Sequence, residues 1–325
     1  MKYELIETNK SDFTVVKLCR VFQVKESGFY RWRNRKRTPR QVEDEILLDR
    51  IRDAHKQSKE TYGPVRILKV MKNNDVLCSI GRTRRLMREN GLYSISKKKF
   101  IHYNDANMDK KFSENILNRD FESFLPNEVW CGDITYVKAV DGWVYLSVVM
   151  DLFNREIIGY ALSKKANSQL TIHAMADALM NRKPQSKIMF HSDRGSQYSS
   201  KAFTRYLDEH NISSSMSRRG SPYDNACSES FFATLKKEWT HHREYKNIEH
   251  LRQSLFEYID LFYNRKRLHS HLDYLSPIEN YKRHRGINNA KEFEFCIYSP
   301  ILDSTKRRPF HLTMTRKNVL HFEQG

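Results

Sequence analysis

From Asn127 onwards the hydrophobic pattern changes period, and this change limits the fold more than any other feature of the chain. Val129 to Val137 places Trp130, Ile134 and Tyr136 on one face and Cys131, Asp133 and Thr135 on the other, the alternation of a strand. Asp141-Gly142 is hairpin-turn chemistry. Trp143 to Met150, WVYLSVVM, is a continuous apolar run suited to a central strand covered on both faces, and Arg155 to Leu162 makes a third strand. A helix over Ser168 to Met180, a strand over Lys187 to His191, a helix over Lys201 to His210 and a short strand over Ile212 to Met216 follow. Three consecutive strands and then alternating helix and strand predict an α/β architecture, a mixed sheet with helices packed on it.

The part before this switch reads as all helix. Thr14 to Arg33 has helical apolar spacing, breaks near Gln23-Val24 and resumes at Ser27, a helix-turn-helix pattern that Pro39 is expected to end. Helices around Ile46 to His55 and Val65 to Lys72 come next, and SIGRTRRLMREN from Ser79 to Asn90 is an arginine-rich helix stopped by Gly91. Lys97 to about Ser123 is polar with little periodicity and reads as a linker, with a short helix near Phe112 to Leu117. The chain thus divides into 1–40, a helix-turn-helix-like segment; 41–96, a second helical DNA-binding unit; 97–125, a linker; 126–285, the sheet domain; and 286–325, a C-terminal extension of unknown role.

Charge says what the helical part meets. Lys and Arg number 57 against 39 Asp and Glu, a net +18, and residues 1–100 hold 25 of those bases against 12 acids. A polyanionic partner bound mainly by the N-terminal third is expected. Arg31, Arg33 and Arg35 after the first motif, and Arg82, Arg84, Arg85 and Arg88 on the arginine-rich helix, are candidate phosphate contacts. The five cysteines, Cys19, Cys78, Cys131, Cys227 and Cys296, are scattered without a C-x-x-C pair, which suggests neither a disulfide framework nor a zinc knuckle. With no apolar run of membrane-spanning length and no signal-peptide pattern, the expected location is the cytoplasm.

Three acids carry the chemistry. Asp133 lies within a strand, where an aspartate loses more than it gains unless something binds its charge. Asp193 ends a strand at HSDRGSQY. Glu229 sits in SPYDNACSESFFATLKKEW, Ser221 to Trp239, where Pro222 and Asp224-Asn225 place a helix start near Asn225. At about 100° per residue, Phe231, Phe232, Leu235 and Trp239 cluster on one side of that helix, while Glu229, Ala233 and Lys236 share an edge. Taken alone, Glu229 is an ordinary surface glutamate. Between Asp193 and Glu229, however, lie 35 residues, with Asp133 before them on the first strand.

With this spacing, and with WCGDITYV, DLFNREIIGY, HSDRGSQYSS, SPYDNACSESFFATLKKE and YNRKRLHSHLDYLSP in order, the chain resembles the retroviral-integrase superfamily of D-D-(35)-E recombinases. Within it the chain is most similar to the second-frame transposases of the IS-three family of bacterial insertion sequences. The resemblance implies an RNase H-like core in which Asp133, Asp193 and Glu229 bind two Mg²⁺ ions, with Mn²⁺ able to substitute, for cleavage and strand transfer of DNA by in-line phosphoryl displacement. A donor set of hard oxygens without His or Cys agrees with that choice. Lys236, seven positions after Glu229, matches a basic residue expected to touch terminal DNA. Asp151 and Asp224 recur in the family's motifs and are expected to be structural, and His191 is either satisfied packing or a neighbour of the site.

Beyond the core motifs, Ile248 to Arg267 predicts an amphipathic helix with Leu251, Leu255, Ile259 and Phe262 as its packing stripe, followed by Arg265, Arg267 and His269 as further candidate DNA contacts. The expected partners are the element's terminal repeats, target DNA and further copies of the chain on DNA. No heptad run is visible, which leaves end recognition and multimerisation to an upstream-frame partner or a frameshift fusion. Two rival readings are a non-catalytic repressor descended from an element and an RNase H-like metal nuclease acting on RNA–DNA hybrids. The intact acids oppose the first; the 35-residue interval, Lys236 and the basic N-terminal region oppose the second.

Overall fold

The structure, a computed structural model, describes residues 2–95, 123–217 and 225–286. The helix expected near Phe112 to Leu117, most of the expected linker, Asp224 and nearly all of the C-terminal extension lie outside the described residues.

Three short helices open the chain: α1 (Lys2–Asn9), α2 (Val15–Val21) and α3 (Glu26–Arg33). They close on a small core of Ile6, Leu18, Cys19 and Phe29. Gln23, at φ 52°, turns the chain between α2 and α3 where the sequence pattern breaks. Pro39, expected to end this unit, instead starts the next helix, α4 (Pro39–Gln57). Its ring fits the first helical position, where no intrahelical N–H bond is lost. Thr38 caps the same turn by accepting from Gln41 N, and the Gln41 side chain answers the Thr38 N–H. A boundary at residue 40 would therefore cut a helix. α5 (Pro64–Asn73) and α6 (Ile80–Glu89) complete the helical part, with Ser79 capping α6 through Arg82 N.

The predicted sheet is present in the expected chain order. Strands β1 (Val129–Ala139), β2 (Gly142–Asp151), β3 (Glu156–Ser163), β4 (Ile188–Ser192) and β5 (Ile212–Met216) form one sheet in the order β3-β2-β1-β4-β5. The first three are antiparallel neighbours, while β4 and β5 join β1 in parallel, so the sheet is mixed. Gly142, at φ 121°, makes the β1–β2 turn that a side chain would strain. On one face lie α7 (Ser168–Arg182) and α8 (Lys201–Glu209), packed on Trp130, Val149, Ile158 and Phe190. On the other face lie α9 (Ala226–Glu238), α10 (Ile248–Phe256) and a π-helical continuation, Glu257–Tyr263, packed on Cys131, Leu146, Val148 and Met150. The predicted stripe Leu251, Leu255, Ile259 and Phe262 is buried there. The last helix, α11 (Pro277–His284), begins at a Ser276/Glu279 capping box.

Two local devices hold this arrangement. β3 is an edge strand that carries one extra residue opposite Val149 and Met150, and side chains take up backbone groups of its outer edge. Asn264 bonds both the N–H and the C=O of Ile157, and Asn181 donates to Ile158 O. Nearby, α7 approaches β3 so closely that a Cβ on Gly159 would stand 2.4 Å from Ala174 O and from Ala178 N, both backbone atoms. Gly159→Ala is therefore expected to destabilise the fold by at least about 1–3 kcal/mol, the usual cost of overpacking. Denaturant unfolding of the variant at constant m-value measures it.

The helical unit α4–α6 is not held apart from the sheet domain as the linker reading implied. Leu47, Ile51, Tyr62, Ile67, Met71 and Leu86 belong to the same apolar cluster as the α9 face of the sheet. Tyr62 donates to Lys266 O and accepts from Leu268 N, and Arg66 donates to Leu268 O.

Candidate active site

Parallel pairing between β1 and β4 ends at Gly132 opposite Ser192. The next residue on each chain is Asp133 and Asp193, so both carboxylates leave the sheet where two parallel strands part, the usual position of a site on an open α/β sheet. Gly132 lies against the Phe190 ring, with no room for a side chain. Beyond it β1 continues to Ala139, bonded to β2 on one side and, among the described residues, to no strand on the other. Asp133 faces the α9 side, in alternation with Cys131, and α9 brings Glu229 in its first turn. The apolar side of α9 is buried as expected, with Phe231, Phe232, Leu235 and Trp239 between 0 and 6% exposed.

The electrostatics tie the three acids together. Burial pushes the Asp133 carboxyl up to about 8; the Asp193 charge and then Glu229 add to the rise, while the Ile134 N–H and Lys236 oppose it. Asp193 is raised by burial against the Gly195 N–H, and Glu229 by burial and by Asp193. Asp133 accepts from Ile134 N at 2.7 Å and Asp193 from Gly195 N at 2.9 Å. Lys236 sits half-buried, its ammonium 5.0 Å from the centre of the Tyr136 ring, with its pKa lowered by burial and supported by Asp133. As the side chains stand, no three His, Cys, Asp or Glu among the described residues are close enough to enclose an ion. Glu229 itself is exposed.

The neighbours of the acids have structural work. His191 is fully buried between the hydroxyls of Ser215 and Ser217, at 2.9 and 3.2 Å. Asp151 is fully buried and accepts from Asn127 N and Phe153 N, with Arg182 3.8 Å away. Sequence reasoning did not single out Tyr198, which is buried beneath the acids; burial and the charge of Asp133 push its phenol well above the usual range. An aromatic residue just after an Asp-Arg-Gly turn was the available signal.

The expected DNA contacts divide. Arg31 and Arg35 are exposed, as are Arg84, Arg88 and Arg265; Arg33 is exposed 3.6 Å from Glu7. Arg82 and Arg85 both bind Asp44 of α4, at 2.5 and 2.7 Å, so these two guanidinium groups brace α6 on α4. Arg267 corrects the expectation outright. Only 5% exposed, it holds Glu238 through two hydrogen bonds of 2.7 Å, so its guanidinium is engaged in an internal ion pair rather than presented on the surface. His269 is half-buried and its pKa is pushed down to about 2 by burial, then by Arg267, Arg66 and Arg155.

Fold and site together define an integrase-type core. Models of that family, described as integrase core domain, match residues 125–222 and 210–277, and an HTH-like domain model matches 41–100. Transposase InsF for insertion sequence IS3A of Escherichia coli (strain K12) is 37% identical over 283 residues, 85% of this chain and 97% of its own length. The transposase for insertion sequence element IS904 of Lactococcus lactis subsp. lactis (strain IL1403) is 38% identical over 247 residues, 75% of this chain and 96% of its own. Among solved structures, the HTLV-2 integrase catalytic core domain in complex with magnesium is 18% identical, covers 49% of this chain and 98% of its own, and superposes with a TM-score of 0.38. The chain belongs to the IS3 family of insertion-sequence transposases. It is a DNA transposase, an enzyme that cleaves and transfers DNA strands.

Proposed function

We propose that Asp133, Asp193 and Glu229 are the catalytic carboxylates of this transposase, that together they hold two Mg²⁺ ions or Mn²⁺ in their place, and that Lys236 contacts the DNA end. One observation carries the reading. Acids from three separate segments converge electrostatically where β1 and β4 part, each made harder to ionise by burial or by another of the three. Among the described residues no Lys, Arg or His makes an ion pair with any of them, and Asp133 and Asp193 each have a single backbone N–H. Such a group is costly without a cation, and its donors are hard oxygens suited to Mg²⁺.

The chain's own contribution follows from the placement. The Ile134 and Gly195 N–H groups each fix one carboxylate oxygen of Asp133 and Asp193, leaving the other for a ligand. Glu229 approaches from the helix, and Lys236, two turns on, offers an ammonium to a phosphate oxygen beside Asp133. Asp133, Asp193 and Glu229 would hold two divalent ions, which when bound would polarise the phosphodiester and activate a water or 3′-hydroxyl for in-line displacement. No covalent link to the protein is needed. The exposed arginines of α3 and α6 serve DNA binding, and copies of the chain assemble on DNA in the cytoplasm, with end recognition shared by an upstream-frame partner or a fused product. No helix among the described residues is long and apolar enough to cross a membrane.

Titrating MgCl₂ or MnCl₂ into the wild-type chain is expected to raise its thermal midpoint, and Asp193→Asn should abolish the rise. Lys236→Ala should keep the ion response while weakening capture of DNA ends. A wild-type protein indifferent to both ions would overturn the assignment.

A further inference from the structure

A groove of about 480 Å³ opens beside Lys236, on the side of it away from Glu229 along α9 and running to the tip of the β1–β2 hairpin. Its floor is the stretch of β1 past the last β4 pairing, and its far wall is the segment after α9, joined to the hairpin by Val140 N donating to Tyr245 O. Two features of the lining stand out. Tyr136 and Trp143 project from the same face of the hairpin and meet edge to face, with ring centres 5.1 Å apart and planes at 89°. Trp143 is nevertheless 52% exposed, more than Trp32 at 37%, while Trp130 and Trp239 are completely buried. Around these rings stand Lys138, Lys236 and Arg243, with Glu244 as the one acid of the lining.

We propose that this groove holds an unpaired nucleotide of the DNA strand being processed, with its base stacked on Trp143 and its phosphate met by Lys236 and Arg243. Bases inside a duplex cover one another's faces, so an exposed indole stacks on a base that has left its partner or on the outer face of a terminal pair, and a groove of this volume suits the single base. Charge selects the same occupant, because three cations against one carboxylate repel a basic partner and attract a phosphodiester. The volume lies in the range of sites for small organic molecules, of which a nucleotide is one. Continuity with the carboxylates gives the site a purpose. Lys236 borders both, so a strand whose end is frayed into the groove has its next phosphodiester carried towards Asp133.

The inference rests on the proposed active site for its purpose but not for its test, which is done in EDTA so that metal binding plays no part. The full chain is titrated with a blunt DNA duplex and with the same duplex ending in two unpaired nucleotides, one of them 2-aminopurine. Wild-type protein is expected to prefer the forked end by about tenfold, the scale of one base–aromatic stack, and to quench the 2-aminopurine. Trp143→Ala should lose the preference while keeping its affinity for the blunt duplex, and Trp143→Phe should retain most of it. Thermal midpoints near wild type confirm that both variants fold. The fluorescence of the wild-type complex needs no variant. Equal affinity of the wild type for both ends, or a preference surviving in Trp143→Ala, would overturn the proposal. Loss of the magnesium response in the Asp193 variant, with the forked preference intact, would leave both readings standing separately.

Discussion

Asp133→Asn is expected to reduce DNA cleavage and joining by about a thousandfold or more and, at the same time, to raise the thermal midpoint of the metal-free protein. The loss follows if Asp133 acts through groups engaged in the transition state. The gain follows from its environment. In the folded chain burial and the Asp193 charge lift this carboxyl to about 8, whereas an unfolded aspartate ionises near 4. Folding therefore takes up a proton between about pH 4 and 8. Stability is greatest below pH 4, falls as pH rises through that window, and levels off above the folded value. Asparagine carries no charge, so its variant should lose that slope and exceed the wild type by about 2 °C or more at pH 7.5 in EDTA. Melting curves from pH 4 to 8, with strand-joining assays on the same preparations, test both halves. Full joining activity in the variant, or a lower midpoint than wild type across the window, would count against the assignment.

Glu238→Ala should be the most damaging change to the fold outside the apolar core. Glu238 is 8% exposed and takes both hydrogen bonds of Arg267, one from the Tyr258 hydroxyl at 3.0 Å, and faces Arg66 at 4.0 Å. Burial opposes the charge on Arg267, and the hydrogen bonds and attraction of Glu238 hold its pKa above the usual value. Removing the carboxylate strands that cation in the interior, at a cost of about 3–5 kcal/mol. Replacing both partners, Glu238→Leu with Arg267→Met, should recover most of the loss, because the pair owes little of its value to charge once both desolvation terms are removed. Urea unfolding of the three proteins decides the matter; a single variant as stable as the double one would refute it.

The sheet was legible because its strands obey a period of two and its helices a period of 3.6, and the two patterns do not overlap along the chain. Strand limits fell within about two residues because turn residues such as Asp141-Gly142 mark them. The relation of Asp133 to Asp193 was legible only as a spacing; their adjacency comes from the β1–β4 register, a long-range pairing no local pattern encodes. Proline was ambiguous, since the residue can end a helix or start one, and α3 has already ended at Arg33 when Pro39 starts α4. The arginines were least legible. Arg84 and Arg85 are neighbours of identical chemistry, yet one is exposed and the other belongs to Asp44, forty-one positions away. Composition counts charges and cannot say which of them are already spent.

The apolar cluster that α4–α6 shares with the sheet domain sets a length scale. A module on a flexible tether would let the enzyme cut at a range of positions relative to the bases it grips. Here Tyr62 and Arg66 clamp the module to the segment Lys266 to Leu268, beside the Glu238–Arg267 pair. On the proposed roles of the helical unit and the carboxylates, the protein would work as a gauge: the stretch of duplex held by the one would lie at a set number of base pairs from the other, and the element's end would be defined by measurement as much as by sequence.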